Sequence, residues 1–352
     1  MLLSGVARGD HMALELPILR IGLAGFSLDQ QQLLAEAVAR ESAGSVDWEF
    51  GALTEADACC VNGARTQLLL DGTLRVGSGI PAGRSVQIDP AALERPIAYS
   101  LPLAPRNLVP ELSFELEPDS IKAMLRRMVG SLKPLIAQFC LASQILEQES
   151  ALGAGIYHVI SVEGKLLAVV DLRGDVGVLA NASPLELESA MWAPQPRRPD
   201  AVPGHFHRCS LSRLMWQYAQ RTHRDLLPPR YRTELLYFRR TPRLPHRLLK
   251  DAHLRLLQAL AREAARFADL EQRTGLGAPE LARELAALYL VGAITSNPKR
   301  AASAPRRRAE ALDSDLPSDR GAMPSGLNLD THQVTIHART ADLTVPAPMV
   351  RD

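Results

Sequence analysis

Apolar and polar positions alternate along this chain in blocks that change period three times. Residues 18–26, ILRIGLAGF, form a short apolar run bounded by Gly and Ser, which reads as a buried strand. Ser27 is placed to cap the helix that follows, DQQQLLAEAVARES, whose Leu33, Leu34, Ala37 and Val38 share one face. Strands are expected at Val46–Leu53, Ala58–Asn62, Leu68–Val76, Ser85–Ile88 and Ile97–Leu101, with Pro102 and Pro105 closing the series. Strand, helix and strand in succession imply an open parallel sheet, an α/β unit over residues 18–105.

Period 3.6 takes over at residues 118–150. Asp119 or Ser120 opens the segment, Met124, Leu125, Met128, Leu132, Leu135 and Ile136 recur at helical spacing, and Pro134 is expected to kink it. GIYHVISVEGKLLAVVDLRGDVGVLA then reads as a three-stranded antiparallel meander with turns at Glu163-Gly164 and Arg173-Gly174. Residues 193–204 are Pro-rich and read as a linker or loop, before a helix at Leu211–Arg221 and a strand at Thr233–Phe238. Leu249, Leu256, Leu257 and Leu260 form the inner face of a helix over 249–263. The expected division is an unfolded leader at 1–17, the parallel-sheet unit at 18–105, a middle α+β unit at 110–245, a helical unit at 248–298, and a mostly disordered tail at 299–352. A late strand is expected inside the tail, in NLDTHQVTIHARTADLTV, and Met12 is an alternative start.

A length of 352 residues suits two or three domains, and 46% hydrophobic content supports real cores. The net charge of +1 conceals an asymmetry. Residues 1–130 hold 11 basic and 16 acidic side chains, against 18 and 8 in residues 201–300. The basic block calls for an anionic partner or for the acidic part of the same chain. Cys59, Cys60, Cys140 and Cys209 suggest no disulfide framework, so a reducing compartment and a cytoplasmic location are expected. No apolar run is long enough to span or insert into a membrane.

The element order of residues 18–105 resembles the receiver domain of bacterial response regulators. That resemblance implies an acidic pair after the first strand, a phosphorylated Asp ending the third and a Lys after the fifth, which together hold Mg²⁺ and the phosphoryl group. Here the first strand ends AGFS, the third ends CCVNG with Asn62 at the acceptor position, and AYSLPLAP lacks the Lys. An amide does not accept a phosphoryl group as a carboxylate does. The unit is therefore expected to be silent, serving to hold a partner or a homodimer.

RFADLEQRTGLGAPELARELAALYLVGAI, residues 266–294, resembles the helix-turn-helix of a winged-helix domain. The resemblance to a winged helix runs over 250–297: the first helix packs through Leu254, Leu257 and Leu260, Ala268–Arg273 is the second, Gly275 and Gly277 make the turn, Pro279 starts the next, Leu281, Leu285 and Leu288 face inward, and Gly292 ends it. In a DNA-binding member this helix reads bases. The positions expected outside, Glu280, Arg283, Glu284 and Ala287, carry two carboxylates against one guanidinium, a poor surface for phosphate-flanked bases. The cations lie elsewhere: Arg230, Arg232, Arg239, Arg240, Arg243 and Arg247 before the unit, Lys299 and Arg300 at its end, and Arg306–Arg308 in the tail. These suit phosphate contact without base readout.

RRTPR (239–243) has the Arg-x-x-x-Arg spacing of PilZ domains, and RRPD (197–200) resembles the Arg-x-x-Asp of cyclic di-GMP inhibitory sites. The second PilZ motif does not follow. HFHRC (205–209) places His205, His207 and Cys209 on one face of an extended segment, without a fourth ligand at familiar spacing, and no metal is expected. HExxH, GxSxG, P-loop and Cys-x-x-Cys motifs are absent, and GSGIPA (77–82) reads as a turn. The expectation is a non-catalytic regulatory or adaptor protein without a cofactor, acting on protein partners. A DNA-binding regulator and a cyclic di-GMP effector are the alternatives.

Overall fold

A computed structural model describes residues 15–41, 46–196 and 202–302. The expected strand in the tail, Arg306–Arg308, Met12 and the RRPD motif lie outside these residues. The architecture is mixed α/β, with a five-stranded parallel sheet, antiparallel sheets and nine α-helices among the described residues.

The parallel sheet is built from β1 (Ile18–Ala24), β2 (Asp47–Gly51), β3 (Ala58–Asn62), β7 (Ile97–Ser100) and β8 (Leu112–Phe114), in the order β2-β1-β3-β7-β8. Helix α1 (Leu28–Glu41) crosses from β1 to β2. The connection from β3 to β7 carries instead a small antiparallel meander, β4 (Thr66–Leu68), β5 (Leu74–Val76) and β6 (Val86–Ile88). The expected strand 68–76 is therefore two strands, split where Asp71 accepts from Thr73 and Gly72 takes φ +85°. One face of the sheet packs Leu19, Ile21 and Cys60 against α1 and α2 (Pro118–Ser131). The other packs Ala24, Val61 and Tyr99 against Leu74, Val76 and Ile88 of the meander. The sheet does not stop at residue 105: β8 pairs with β7 in parallel and α2 packs against it.

The expected kink at Pro134 is a full break. Helix α3 (Lys133–Glu147) leaves α2 at 63°. No single helix among the described residues is long and apolar enough to cross a membrane. Helix α3 lies against a second, antiparallel sheet, ordered β12-β9-β10-β11-β13. Its strands are β9 (Ile156–Ile160), β10 (Leu166–Asp171), β11 (Asp175–Val178), β12 (Met191–Gln195) and β13 (His207–Ser210). Residues 193–195 of the expected linker thus belong to an edge strand, where Pro194 has no ladder bond to lose. Short helix α4 (Pro184–Glu188), opened by a Ser183–Glu186 capping box, leads into it.

Helix α5 (Leu211–Ala219) joins this sheet to the C-terminal helices by packing on both α3 and α9 (Ala278–Leu290). Pro228 and Pro229 precede one helical turn, α6 (Arg230–Thr233), so the expected strand at 233–238 shrinks to β14 (Tyr237–Phe238). Helices α7 (Asp251–Arg262) and α8 (Phe267–Thr274) follow; Leu254, expected on the inner face of α7, is exposed, while Leu256, Leu257 and Leu260 are buried, and Gly275 at φ +70° ends α8. Strand β15 (Ile294–Thr295) returns to pair with β14. Leu236 also exchanges both backbone hydrogen bonds with Ala265. Buried residues from the parallel sheet, α3, α5 and α9 belong to one continuous apolar core.

Candidate functional site

Open parallel sheets bind ligands at the C-terminal ends of their strands, where the strand order reverses. In this chain that point lies between β1 and β3, and the protein's own residues fill it. Gly25 turns the chain at φ +83°, and Gly79 lies so close that a Cβ there would meet the Phe26 carbonyl at 2.1 Å. Arg65 Nη1 donates to the Ser78 carbonyl at 2.7 Å and holds the 77–83 loop over the strand ends. Asn62, at the expected phospho-acceptor position, is buried; its Nδ2 donates to Gln30 Oε1 at 3.1 Å and its Oδ1 accepts from the Ala64 N–H. Gln30 is held in turn by a reciprocal bond with Ser27 at the start of α1. The strand read as the fifth, residues 97–101, is the fourth; β8 is the fifth, and ELEP follows it, again without a lysine.

Helix α9 is not the exposed reading helix that its sequence suggests. Glu280 and Arg283 do face solvent, but Glu284 and Ala287 are buried. Burial of Ala282, Leu285, Ala286 and Leu288 as well makes α9 a central packing helix. Glu284 lies inside because it has partners there. His253 Nε2 touches its Oε2, and Gln220 donates to the same oxygen at 3.3 Å. His253 Nδ1 accepts from the Lys250 N–H, so the hydrogen-bond pattern puts the ring proton on Nε2, toward the carboxylate. Burial pushes the Glu284 carboxyl up, but the His253 contact, the Lys250 charge and the Gln220 amide outweigh it, and it titrates below the ordinary glutamate range.

The nine singled-out cations that lie among the described residues divide into three groups. Arg247 pairs with Glu94 at 3.7 Å, across to the acidic N-terminal segment. Lys250–Glu55 at 2.8 Å and Arg221–Asp57 at 2.6 Å bridge the same two regions. The opposite charges of the two halves are in part each other's partners. Arg239, Arg240 and Arg243 gather by the C-terminal end of α9, where Arg240 donates to the Val291 and Gly292 carbonyls. Burial, then the charges of Arg239 and Arg243, pull Arg240 below the ordinary arginine value. The Ala302 N–H bonds the Phe238 carbonyl, which folds exposed Lys299 and Arg300 back along β14. Arg230 stacks near the Tyr231 ring at the start of α6.

Arg232 and Arg283 belong to the third group, which lines a cleft of about 390 Å³. Its walls are the loop after α5, α6 and the first three turns of α9. Ala219, Ala278, Ala282 and Ala286 line it with methyl groups, and Arg224, Arg232, Arg283 and His223 add polar heads. Arg232 Nη2 is fixed by Asp225 Oδ2 at 2.6 Å and its guanidinium lies 5.5 Å from the Phe267 ring centroid. Arg224 Nη1 is fixed by Glu147 at 3.3 Å and Glu15 at 3.7 Å.

Behind the cleft is a polar network that no local sequence pattern signals. Glu15 accepts from Tyr218 Oη at 2.7 Å, from Ser143 Oγ at 3.3 Å and from the Thr222 hydroxyl. Burial and the Glu15 carboxylate push the Tyr218 phenol up to about 12. In HFHRC, His207 is exposed while Cys209 is buried, and no group of three metal-ligating side chains occurs among the described residues. All four cysteines are free and buried, and burial raises their thiol pKa values, for Cys140 to about 12. No family model, no curated protein and no solved structure matches this chain.

Proposed function

We propose that the chain is a non-catalytic regulatory adaptor, in which a receiver-like unit and a winged-helix-like unit are fused into one body that works by protein contact. The observation that carries this reading is the 77–83 loop lying over the strand ends where phosphoryl chemistry takes place in a receiver. Asn62, held on both of its amide atoms, adds to it. The burial of Glu284 and Ala287 favours protein contact over base readout, because α9 offers a DNA groove little beyond Glu280 and Arg283. Exposed apolar side chains at one end of the antiparallel sheet, Val162, Leu185 and Met191, are the face assigned to the partner. Met191 is the cross-strand neighbour of Ile160, two residues before Val162, and Lys165–Glu186 ties the same turn to α4.

The test is cross-linking capture with the full chain, with and without nuclease, compared with Met191→Glu. A discrete protein partner retained under nuclease and lost from Met191→Glu supports the adaptor. Recovery that vanishes with nuclease favours the DNA-binding alternative, and formation of an aspartyl phosphate with acetyl phosphate and Mg²⁺ overturns the silent unit.

A further inference from the structure

We infer that the cleft between the 219–226 loop and α9 binds a small organic anion, a phosphate or carboxylate carried on a flat apolar body. This goes beyond the adaptor reading and does not rest on it. Four features of the site point to such a ligand. The first is size: about 390 Å³ lies in the range of small-molecule pockets and suits a body of one or two rings.

The second is the wall chemistry. Alanines at 219, 278, 282 and 286, with Leu226 and Pro279, leave apolar strips between the polar heads of the cleft, and the flat face of an organic body can lie against them. The third is the charge. Three guanidiniums and one carboxylate, Asp225, line the cleft. The Arg283 side chain has no hydrogen bond or ion pair to any described residue, although those of Arg224 and Arg232 have both.

The fourth is preorganisation. Asp225 holds Arg232 through Nη2, and Glu147 and Glu15 hold Arg224 through Nη1. A guanidinium has five N–H donors, so each held arginine keeps donors to spare while its position is already set. Two held arginines and one unpaired arginine line the same cleft as the apolar strips, which offers charged donors to an oxyanion and a surface to the body that carries it.

Isothermal titration of the full chain with adenosine 5′-monophosphate, salicylate, adenosine and inorganic phosphate tests this. The inference expects saturable, stoichiometric binding of the monophosphate or of salicylate. Which of the two binds identifies the source of the anion. Adenosine and inorganic phosphate, each supplying half of the recognition, should bind at least about tenfold more weakly. Arg283→Glu should weaken binding at least about tenfold, while Arg75→Glu, on the exposed surface of the β4–β6 meander, leaves it unchanged. Equal weakening by the two substitutions would mean diffuse attraction to the whole chain and would overturn the site. So would the absence of saturable binding by both organic anions.

Discussion

Asp57 and Arg221 lie 164 residues apart in the chain and 2.6 Å apart in space. The remaining oxygen of Asp57 accepts the Arg20 backbone N–H at 3.0 Å, so both carboxylate oxygens are used. Both side chains are largely buried, and removing one leaves the other charge without compensation. Asp57→Ala is expected to lower unfolding free energy by about 3 kcal/mol, read by urea denaturation. A loss below about 0.5 kcal/mol, the range of ordinary surface substitutions, would show that the pair does not join the two halves.

The His253–Glu284 contact predicts an acid sensitivity of definite sign. A carboxyl whose folded pKa is depressed contributes stability that is present above its unfolded value and lost as pH falls through the folded value. Stability should therefore decline as pH drops below the ordinary glutamate value of 4.5. In Glu284→Gln that part of the decline should disappear. Urea midpoints compared between pH 3 and 7 decide this, and identical acid limbs for the two proteins would refute it.

The filled strand ends give a prediction about restoring chemistry. Asn62→Asp alone should not produce a phosphorylatable protein, because the 77–83 loop and Gln30 still occupy the site. Incubation with acetyl phosphate and Mg²⁺, followed by intact mass, checks it. Gly79→Ala, whose Cβ would strike the Phe26 carbonyl, should lower stability by about 1–3 kcal/mol, visible as a fall in Tm.

Around β14, residues 235–250 and 285–302 contain no Asp or Glu, while Arg239, Arg240, Arg243, Lys299 and Arg300 gather there. That patch should retain a polyanion without regard to its sequence. On heparin, Arg239→Ala with Arg300→Ala should elute at clearly lower salt, and every cation–phosphate pairing removed should reduce the salt slope on duplex DNA by about 1. Arg283→Ala should change neither. A sequence preference that Arg283→Ala relaxes would restore the reading-helix assignment.

Much of the architecture can be read from periodicity, because long amphipathic elements such as α5, α7 and α9 carry their inner faces in their spacing. Most of the misreadings share a cause, a deciding partner that is distant; the split of 68–76 at the Asp71–Thr73 turn is the local exception. Glu284 reads as exposed because charged helix residues usually face water, and the groups that draw it inside, His253 and Gln220, come 31 and 64 residues earlier. Strand β8 is three residues long, too short to show a period, and only its pairing with β7 identifies it. Pro194 makes 193–204 look like a linker, yet an edge strand tolerates proline. The arginines are visible as a cluster, but the division into clamp, patch and cleft depends on which carboxylates fold against them.

Glu15 and Ile18 have a consequence for synthesis on the ribosome. Glu15 is clasped by Tyr218 and Thr222, and the Ile18 N–H bonds the Arg221 carbonyl, about two hundred residues further along. At about 5–20 residues per second, the first strand emerges on the order of 10–40 s before its clasp has been translated. During that interval the nascent parallel sheet displays Asp57 and the Glu15 segment without their partners. A chain that folds as it is made can close these N-terminal contacts only after residues 218–222 have been added.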